Sequence, residues 1–74
     1  MDMRKLVGRN VRRLRLAAGM TQEQYAERSG FSQQYISDLE RGRRNPTVVS
    51  LFELAQALDA TPIELLIFEA GPIE

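Results

Sequence analysis

The sequence has no cysteine and no histidine. Without cysteine no disulfide can stabilise the chain, and without either residue type it lacks the usual proton shuttle, the thiol nucleophile and the soft metal ligands. The carboxylates do not have the spacing of a metal-binding loop, and no glycine-rich phosphate-binding motif occurs. We therefore predict that the protein is not an enzyme and that it uses no cofactor and no metal.

Long apolar runs are also missing. No segment approaches the roughly 20 apolar residues that span a bilayer, and the start MDMRKLVGRN lacks the apolar core of a secretory signal. We expect an unprocessed cytoplasmic protein with no membrane partner. Its 74 residues predict one domain, 1–74, without a small-molecule effector domain. Because a core of this size supplies only about 3 to 5 kcal/mol, association of two copies could add stability.

Net charge is absent too, since ten basic and ten acidic residues cancel. The charges are nevertheless segregated along the chain. Residues 1 to 44 hold all ten basic and five acidic residues and so carry +5, whereas residues 45 to 74 hold five acidic residues and carry −5. A basic face on a neutral domain is typical of a small protein that binds a phosphate backbone. A solvated helix face rich in arginine would explain the same charges.

Strand signals do not occur, because the chain shows neither alternating apolar residues nor an Asn-Gly hairpin turn. We therefore predict an all-α fold. A first helix, about 3 to 18, is indicated by apolar residues at helical spacing and by the stop at Gly19. The residues on this face are Val7, Val11, Leu14 and Ala18.

Capping residues predict four more helices. Thr21 with Gln24 forms a capping box for a second helix that ends at Ser29-Gly30, and Ser32 caps a third that Gly42 ends. Thr47 can cap a fourth helix, whose buried stripe comprises Leu51, Leu54, Ala55 and Leu58. A fifth helix, 62–69, begins with the capping box of Thr61 and Glu64 around Pro62.

The third helix has two unlike faces. Tyr35, Ile36 and Leu39 gather on one side. The other side is rich in amides and hydroxyls and comprises Gln33, Gln34, Ser37, Asp38 and Arg41. Glutamine can pair with two edge atoms of adenine, serine with several bases, and arginine with guanine or phosphate. The composition of this face is typical of a DNA-reading helix.

The segment QEQYAERSGFSQQYISDLER, residues 22–41, resembles the helix-turn-helix of phage repressor and Cro-type (XRE-type) transcriptional regulators. The matching positions are Ala26 between the two helices, Gly30 in the turn, and the buried residues Ile36 and Leu39. The following segment, ERGRRNPTVVSLFELAQALDATPIELL, fits the same family. The resemblance covers roughly residues 6 to 67.

This resemblance implies a five-helix, lambda-repressor-like DNA-binding domain whose third helix enters the major groove. By position, the base-contacting residues would be Gln33, Gln34, Ser37 and Arg41. The residues that contact the DNA backbone would be Thr21, Gln22, Ser32, Tyr35, Arg43, Arg44 and Asn45, with Gln22 clamping a phosphate at a helix N-terminus. Arg15 and Glu40 would form a partly buried structural ion pair.

Some residues depart from the family pattern or leave their role open. Tyr25 replaces the usual leucine, which we expect to alter packing more than function. Asp38 could accept a hydrogen bond from cytosine but would be repelled by phosphate. Tyr35 could belong to the core, stack near a backbone sugar or touch a thymine methyl. The basic row Lys5, Arg9, Arg12 and Arg13 fits a solvated face better than a DNA contact.

The fifth helix is apolar nearly all the way round, and its own bundle can cover only one side, with Leu65 and Leu66. We expect the remaining apolar residues to form a homodimer interface, namely Ile63, Ile67, Phe68 and Ile73. A tail folded back on its own bundle is the alternative. A two-fold dimer predicts a pseudo-palindromic operator with half-sites one DNA turn apart.

The function predicted from the sequence is therefore a sequence-specific, homodimeric regulator of transcription that binds double-stranded DNA. It would act by occupying an operator and blocking or recruiting polymerase. The alternative is a protein-interaction adaptor or an antitoxin-type partner-binding module with the same fold, because fold alone does not fix function.

Overall fold

The structure is a computed structural model that describes residues 1–68. Five α-helices follow one another, and no strand occurs in this part of the chain: α1 Met3–Ala17, α2 Gln22–Ser29, α3 Gln33–Glu40, α4 Val48–Gln56 and α5 Pro62–Leu66. The all-helical, five-helix prediction is confirmed. None of these helices is long and apolar enough to cross a bilayer.

The helix starts follow the capping residues that the sequence contains. The hydroxyls of Thr21, Ser32 and Thr47 each accept the backbone N–H three residues later, at 3.0 to 3.1 Å. The backbone N–H of Thr21 in turn donates to Gln24 Oε1 at 2.9 Å, which completes the capping box. Such caps satisfy donors that the first helical turn leaves unpaired.

The fifth helix is shorter than predicted. It ends at Leu66, and Ile67 is extended with φ −68° and ψ 126°. The reason is a contact that helix periodicity does not reveal: Asn10 of α1, itself buried, donates its side-chain amide to the carbonyls of Leu65 at 2.9 Å and Ile67 at 3.0 Å. Because Asn10 satisfies these carbonyls, another helical turn is not needed. The predicted end at Glu69 lies outside the described residues.

The core lies where all five helices meet. It contains fully buried side chains from each of them, including Val11, Tyr25, Ile36, Leu39, Leu54 and Leu65. Tyr25, which replaces the leucine expected at its position, donates its hydroxyl to the carbonyl of Leu54 at 2.8 Å. The phenol therefore also satisfies a carbonyl near the C-terminal end of α4. Ala18, predicted on the buried face of α1, is exposed because α1 ends at Ala17.

Gly8 allows α1 to lie directly against the C-terminal end of α3. A Cβ atom at this position would collide with the backbone carbonyl of Leu39 and would crowd the carbonyl of Glu40. Helix α1 also packs against α5, while α2 packs against α3 and α4 against α5. Helix α3 is thus held from behind by α1 and from the side by α2, which leaves its outer face uncovered.

Candidate nucleic-acid interface

The turn between α2 and α3 sets the direction in which α3 leaves the bundle. Gly30 adopts the left-handed conformation, with φ 87°, and its N–H donates to the carbonyl of Ala26 at 3.0 Å. Glycine reaches this conformation without the strain that a side chain would cause. Two residues later Ser32 caps α3. The two helices are therefore joined by a short, hydrogen-bonded turn.

Helix α3 is divided into a buried and an accessible face, as its sequence predicts. Ile36 and Leu39 are fully buried. Gln33, Gln34 and Arg41 are exposed, and Ser37 is half-buried. The side chain of Gln33 makes no hydrogen bond within residues 1–68, so its amide is free to meet a partner. The accessible face thus offers amide, hydroxyl and guanidinium groups from a rigid element.

A buried ion pair lies behind this face. Arg15 donates from Nε to Glu40 Oε2 at 2.6 Å and from Nη2 to Glu40 Oε1 at 3.0 Å, and the side chains are 8% and 4% exposed. Arg15 also donates to the carbonyl of Met20 at 2.8 Å. The hydrogen bonds to Glu40 raise the pKa of Arg15 above its ordinary value, since they favour the charged guanidinium. The pair connects α1 with the C-terminal end of α3.

Gln22 joins this cluster from the first residue of α2. Its Nε2 donates to Glu40 Oε1 at 3.0 Å. A glutamine amide carries two N–H donors, so one remains for another acceptor. The Glu40 contact fixes the position of this amide at the N-terminus of α2, the helix end that favours anions.

The carboxylate of Asp38, whose role the sequence left open, connects α3 with the loop that follows it. Its Oδ1 accepts from Gln34 Nε2 at 3.0 Å, and its Oδ2 lies 3.5 Å from Arg44 Nη2. The backbone carbonyl of Asp38 accepts the N–H of Arg43 at 2.9 Å. Asp38 therefore faces protein donors instead of standing free on the surface.

Tyr35 is half-buried and packs against the core without being part of its fully buried centre. Its ring stacks on Phe31 with centroids 4.7 Å apart, and the Arg44 guanidinium lies 5.0 Å from the ring centroid. Burial raises the pKa of the Tyr35 phenol, an effect that the charge of Arg44 opposes. The three side chains form one layer beside the accessible face of α3, and the loop residues Arg43, Arg44 and Asn45 are exposed.

Apolar side chains are exposed at the end of the bundle formed by α4 and α5. Ile63, Ile67 and Phe68 are 70%, 44% and 60% exposed, whereas Ile73 lies outside the described residues. Leu65 is fully buried, but Leu66, expected to turn inward with it, is partly exposed. It lines a shallow cleft beside Val7 and Leu51 instead of filling the core.

Helix α4 adds three exposed apolar residues that the sequence analysis missed: Val48, Val49 and Phe52, which are 82%, 66% and 53% exposed. They lie beside the stripe that α4 buries, on a helix that is apolar over more than one face. We call these three residues together with Ile63, Ile67 and Phe68 the apolar patch.

Comparison with known proteins identifies the family. The helix-turn-helix family model HTH_3 matches residues 11–66, which is more than half of the chain. The chain belongs to the helix-turn-helix family of Cro/C1-type (XRE-type) transcriptional regulators. This family is a DNA-binding class and not a class of enzymes, so the predictions of family and of a non-enzymatic protein are confirmed.

Several helix-turn-helix proteins are similar over most of the chain. The uncharacterized HTH-type transcriptional regulator y4dJ of Sinorhizobium fredii is 67% identical over 66 residues, which are 89% of this chain and 86% of that protein. The control protein C.SmaI of Serratia marcescens is 41% identical over 66 residues, 89% of this chain and 79% of its own length. The crystal structure of the restriction-modification controller protein C.AhdI from Aeromonas hydrophila superimposes with a TM-score of 0.80 at 42% identity, covering 84% of this chain and 94% of that one.

Proposed function

We propose that this protein is a sequence-specific regulator of transcription that binds double-stranded DNA through α3 in the major groove. The observation that carries the proposal is the accessible face of α3. It is rich in amides, it is held from behind by the buried pair of Arg15 and Glu40, and an exposed basic loop follows it directly. Residues 1–74 would act as one DNA-binding domain, with the helix-turn-helix at 22–41, in the cytoplasm.

The side chains divide by chemistry into two groups. On the accessible face of α3, the side chains that can pair with base edges are Gln33, Gln34, Ser37 and Arg41. Around it, the groups suited to phosphate and sugar are Thr21, Gln22, Ser32, Tyr35, Arg43, Arg44 and Asn45. Contacts of the second group fix the register of the protein on the duplex without selecting a sequence, whereas contacts of the first group select it.

We further propose that two copies bind together through the apolar patch. The patch consists of exposed apolar side chains on α4, on α5 and in the two residues after α5, and α4 packs against α5. Exposed apolar patches on small soluble domains mark candidate association sites. A two-fold dimer would place two recognition helices about 34 to 36 Å apart and would require an operator with two related half-sites. Occupancy would then respond to the concentration of the protein itself, because dimerisation and binding are coupled.

Selection of binding sites from random duplex DNA tests the proposed function. The full chain is incubated with the pool at near-physiological salt, and the retained duplexes are sequenced. We expect enrichment of a two-fold-related motif whose half-sites lie about one helical turn apart. A pool that stays random, although circular dichroism shows the protein folded, would refute DNA reading and would favour the adaptor function.

Sedimentation analysis of the Phe68→Ser variant tests the dimer. We expect the variant to be folded, to sediment as a monomer and to bind the selected operator more weakly. Leu16→Ser is the matched control, since Leu16 is a similarly exposed apolar residue, 55% exposed, on α1 and outside the patch. If the Phe68→Ser variant unfolds, the result would support a tail folded back on its own bundle. If the variant remains dimeric, Phe68 does not belong to the dimer interface.

A further inference from the structure

Asp38 stands at an unexpected position for an acid. It lies on the same helix as the proposed base readers, with its side chain 19% exposed, beside a surface proposed to meet phosphates. A negative charge there opposes DNA binding, because affinity for the duplex depends on positive charges that replace counterions. The charge is partly compensated by Arg44, 3.5 Å away. An acid at this position calls for another role in DNA reading.

That role follows from the hydrogen bond with Gln34. The amide of Gln34 could rotate to present either its oxygen or its nitrogen to a neighbour. An ionised carboxylate only accepts hydrogen bonds, so Asp38 Oδ1, 3.0 Å from Gln34 Nε2, selects the nitrogen. The contact therefore fixes which way round the amide stands.

In this fixed orientation, the Gln34 amide can still pair with a base. Gln34 retains its Oε1 acceptor and the second N–H of Nε2. Adenine presents a donor at N6 and an acceptor at N7 in the major groove, and a glutamine meets both with one acceptor and one donor. Such a pair needs only one of the two amide protons, so the other can stay with Asp38. An amide held in this orientation before binding loses less freedom on binding than a mobile one.

We propose that Asp38 is a positioning residue for specificity: it orients the Gln34 amide for base reading and holds Arg44 beside Tyr35. The proposal rests on the proposed function, in which α3 reads bases. Arg44 is the second half of the arrangement, because its guanidinium both faces Asp38 and lies over the Tyr35 ring. Asp38 thereby links the reading face with the loop that contacts phosphate, and it lowers general affinity for DNA while raising selectivity.

The test uses the selected operator and its single-base variants with two substitutions at Asp38. Asp38→Ala removes the acceptor for Gln34 and the charge that pairs with Arg44. We expect it to lower discrimination at the base pair read by Gln34 by about 5- to 10-fold, part of what a good base contact provides. Binding to unrelated DNA should become tighter, with a salt slope steeper by about one, since Arg44 is released toward phosphate.

Asp38→Asn separates the two roles. Its side-chain carbonyl can still accept from Gln34, so we expect discrimination at that base pair to be largely retained. The gain in general affinity and salt slope should match that of Asp38→Ala, because both variants lose the charge. A discrimination loss as large in the Asn variant as in the Ala variant would contradict orientation of the amide through a hydrogen bond.

A double-mutant cycle with Gln34→Ala decides whether Asp38 acts through Gln34. In the Gln34→Ala background, Asp38→Ala should cause no further loss of discrimination at that base pair. A loss of equal size with and without Gln34 would overturn the proposal, and so would unchanged discrimination in folded Asp38→Ala alone. If the wild-type protein selects no operator at all, the proposed function fails together with this inference. Specific wild-type binding with unaltered discrimination in Asp38→Ala refutes the Asp38 role alone.

Discussion

Helix α3 carries two carboxylates, Asp38 and Glu40, which each bind one arginine and one glutamine amide. Glu40 binds Arg15 and Gln22 in the interior. The side chains of Glu40 and Arg15 are only 4% and 8% exposed. Asp38 binds its two partners, Gln34 and Arg44, with 19% and 46% exposure of the Asp38 and Arg44 side chains. The same chemistry therefore occurs once in the interior and once at the surface.

Burial gives the two clusters different consequences. A buried ion pair contributes little compared with apolar packing, but the loss of one partner leaves a charge without water or counter-charge. A surface pair is screened, so its loss changes stability by little. We therefore expect the Glu40 cluster to determine whether α3 stays attached to the bundle and the Asp38 cluster to determine how α3 binds.

The largest effect should come from Glu40→Ala. The substitution leaves the guanidinium of Arg15 buried, and among residues 1–68 the acceptor that remains is the carbonyl of Met20. We expect a loss of about 3 to 5 kcal/mol in the free energy of unfolding, which would leave a domain of this size barely folded. Urea denaturation measures the change. A loss below about 1 kcal/mol for Glu40→Ala would contradict the expectation that the Glu40 cluster, unlike the Asp38 cluster, determines stability.

A double substitution, Arg15→Met with Glu40→Leu, sharpens the comparison by removing both charges together. No unpaired charge remains in the double variant. We therefore expect its loss in free energy of unfolding to be smaller than the sum of the losses of the two single variants, by a coupling of about 1 to 3 kcal/mol. Recovery should be incomplete, since the Met20 carbonyl and the Gln22 amide lose their partner. Additive losses in urea denaturation would show that packing, not charge, explains the effect of Glu40→Ala.

The two tyrosines extend the comparison from carboxylates to phenols. Tyr25 is fully buried and hydrogen-bonded to Leu54, whereas Tyr35 is half-buried at the surface. We expect Tyr25→Phe to destabilise the fold by about 1 to 2 kcal/mol, because the carbonyl of Leu54 loses its buried donor. Tyr35→Phe, the matched control, should cost less. Equal losses for the two variants in thermal unfolding would contradict this assignment.

Alkaline pH should act on the same residue. Burial, followed by the negative charge of Glu40, raises the pKa of Tyr25 above its ordinary value. Above pH about 10 the unfolded chain releases this proton while the folded protein keeps it, so the contribution of Tyr25 to stability is constant below that pH and falls above it. The slope due to Tyr25 should approach about 1.4 kcal/mol per pH unit. Tyr25→Phe should have a shallower decline, and an unchanged decline would contradict the role of burial.

The smallest effect on stability should come from Asp38→Ala. Its ion pair with Arg44 is only partly buried and its hydrogen bond with Gln34 is accessible to water, so we expect a change within about 0.5 kcal/mol. Thermal unfolding at low and high salt measures it, and the difference from the wild-type protein should diminish as salt rises. A loss comparable with that of Glu40→Ala would make Asp38 a structural residue.

Local signals in the sequence were sufficient for the starts of the helices. Thr21, Ser32 and Thr47 cap the helices that they were predicted to cap, because a cap depends on residues two or three positions away. The end of α5 was missed because it depends on Asn10, which is 55 residues from Leu65 in sequence. A contact of that range has no periodic signature.

The candidate site shows the same limit. The accessible face of α3 follows from helical spacing, but the partners of Asp38 do not, since Arg44 lies beyond the helix in a loop whose path the sequence leaves open. The exposed residues of α4 were missed for another reason. Val48, Val49 and Phe52 lie outside the buried stripe of the same helix, and apolar character alone does not tell which apolar residues of a helix face the bundle.

In the proposed complex, α3 reads bases while the loop that follows it holds phosphates. The most direct test measures the binding of Gln33→Ala and Arg43→Ala to the selected operator and to all its single-base variants. We predict that Gln33→Ala costs about 1 to 3 kcal/mol of discrimination at one base pair only. Arg43→Ala should weaken binding to every sequence alike and reduce the salt slope by about one. An equal loss on every sequence from Gln33→Ala would contradict the claim.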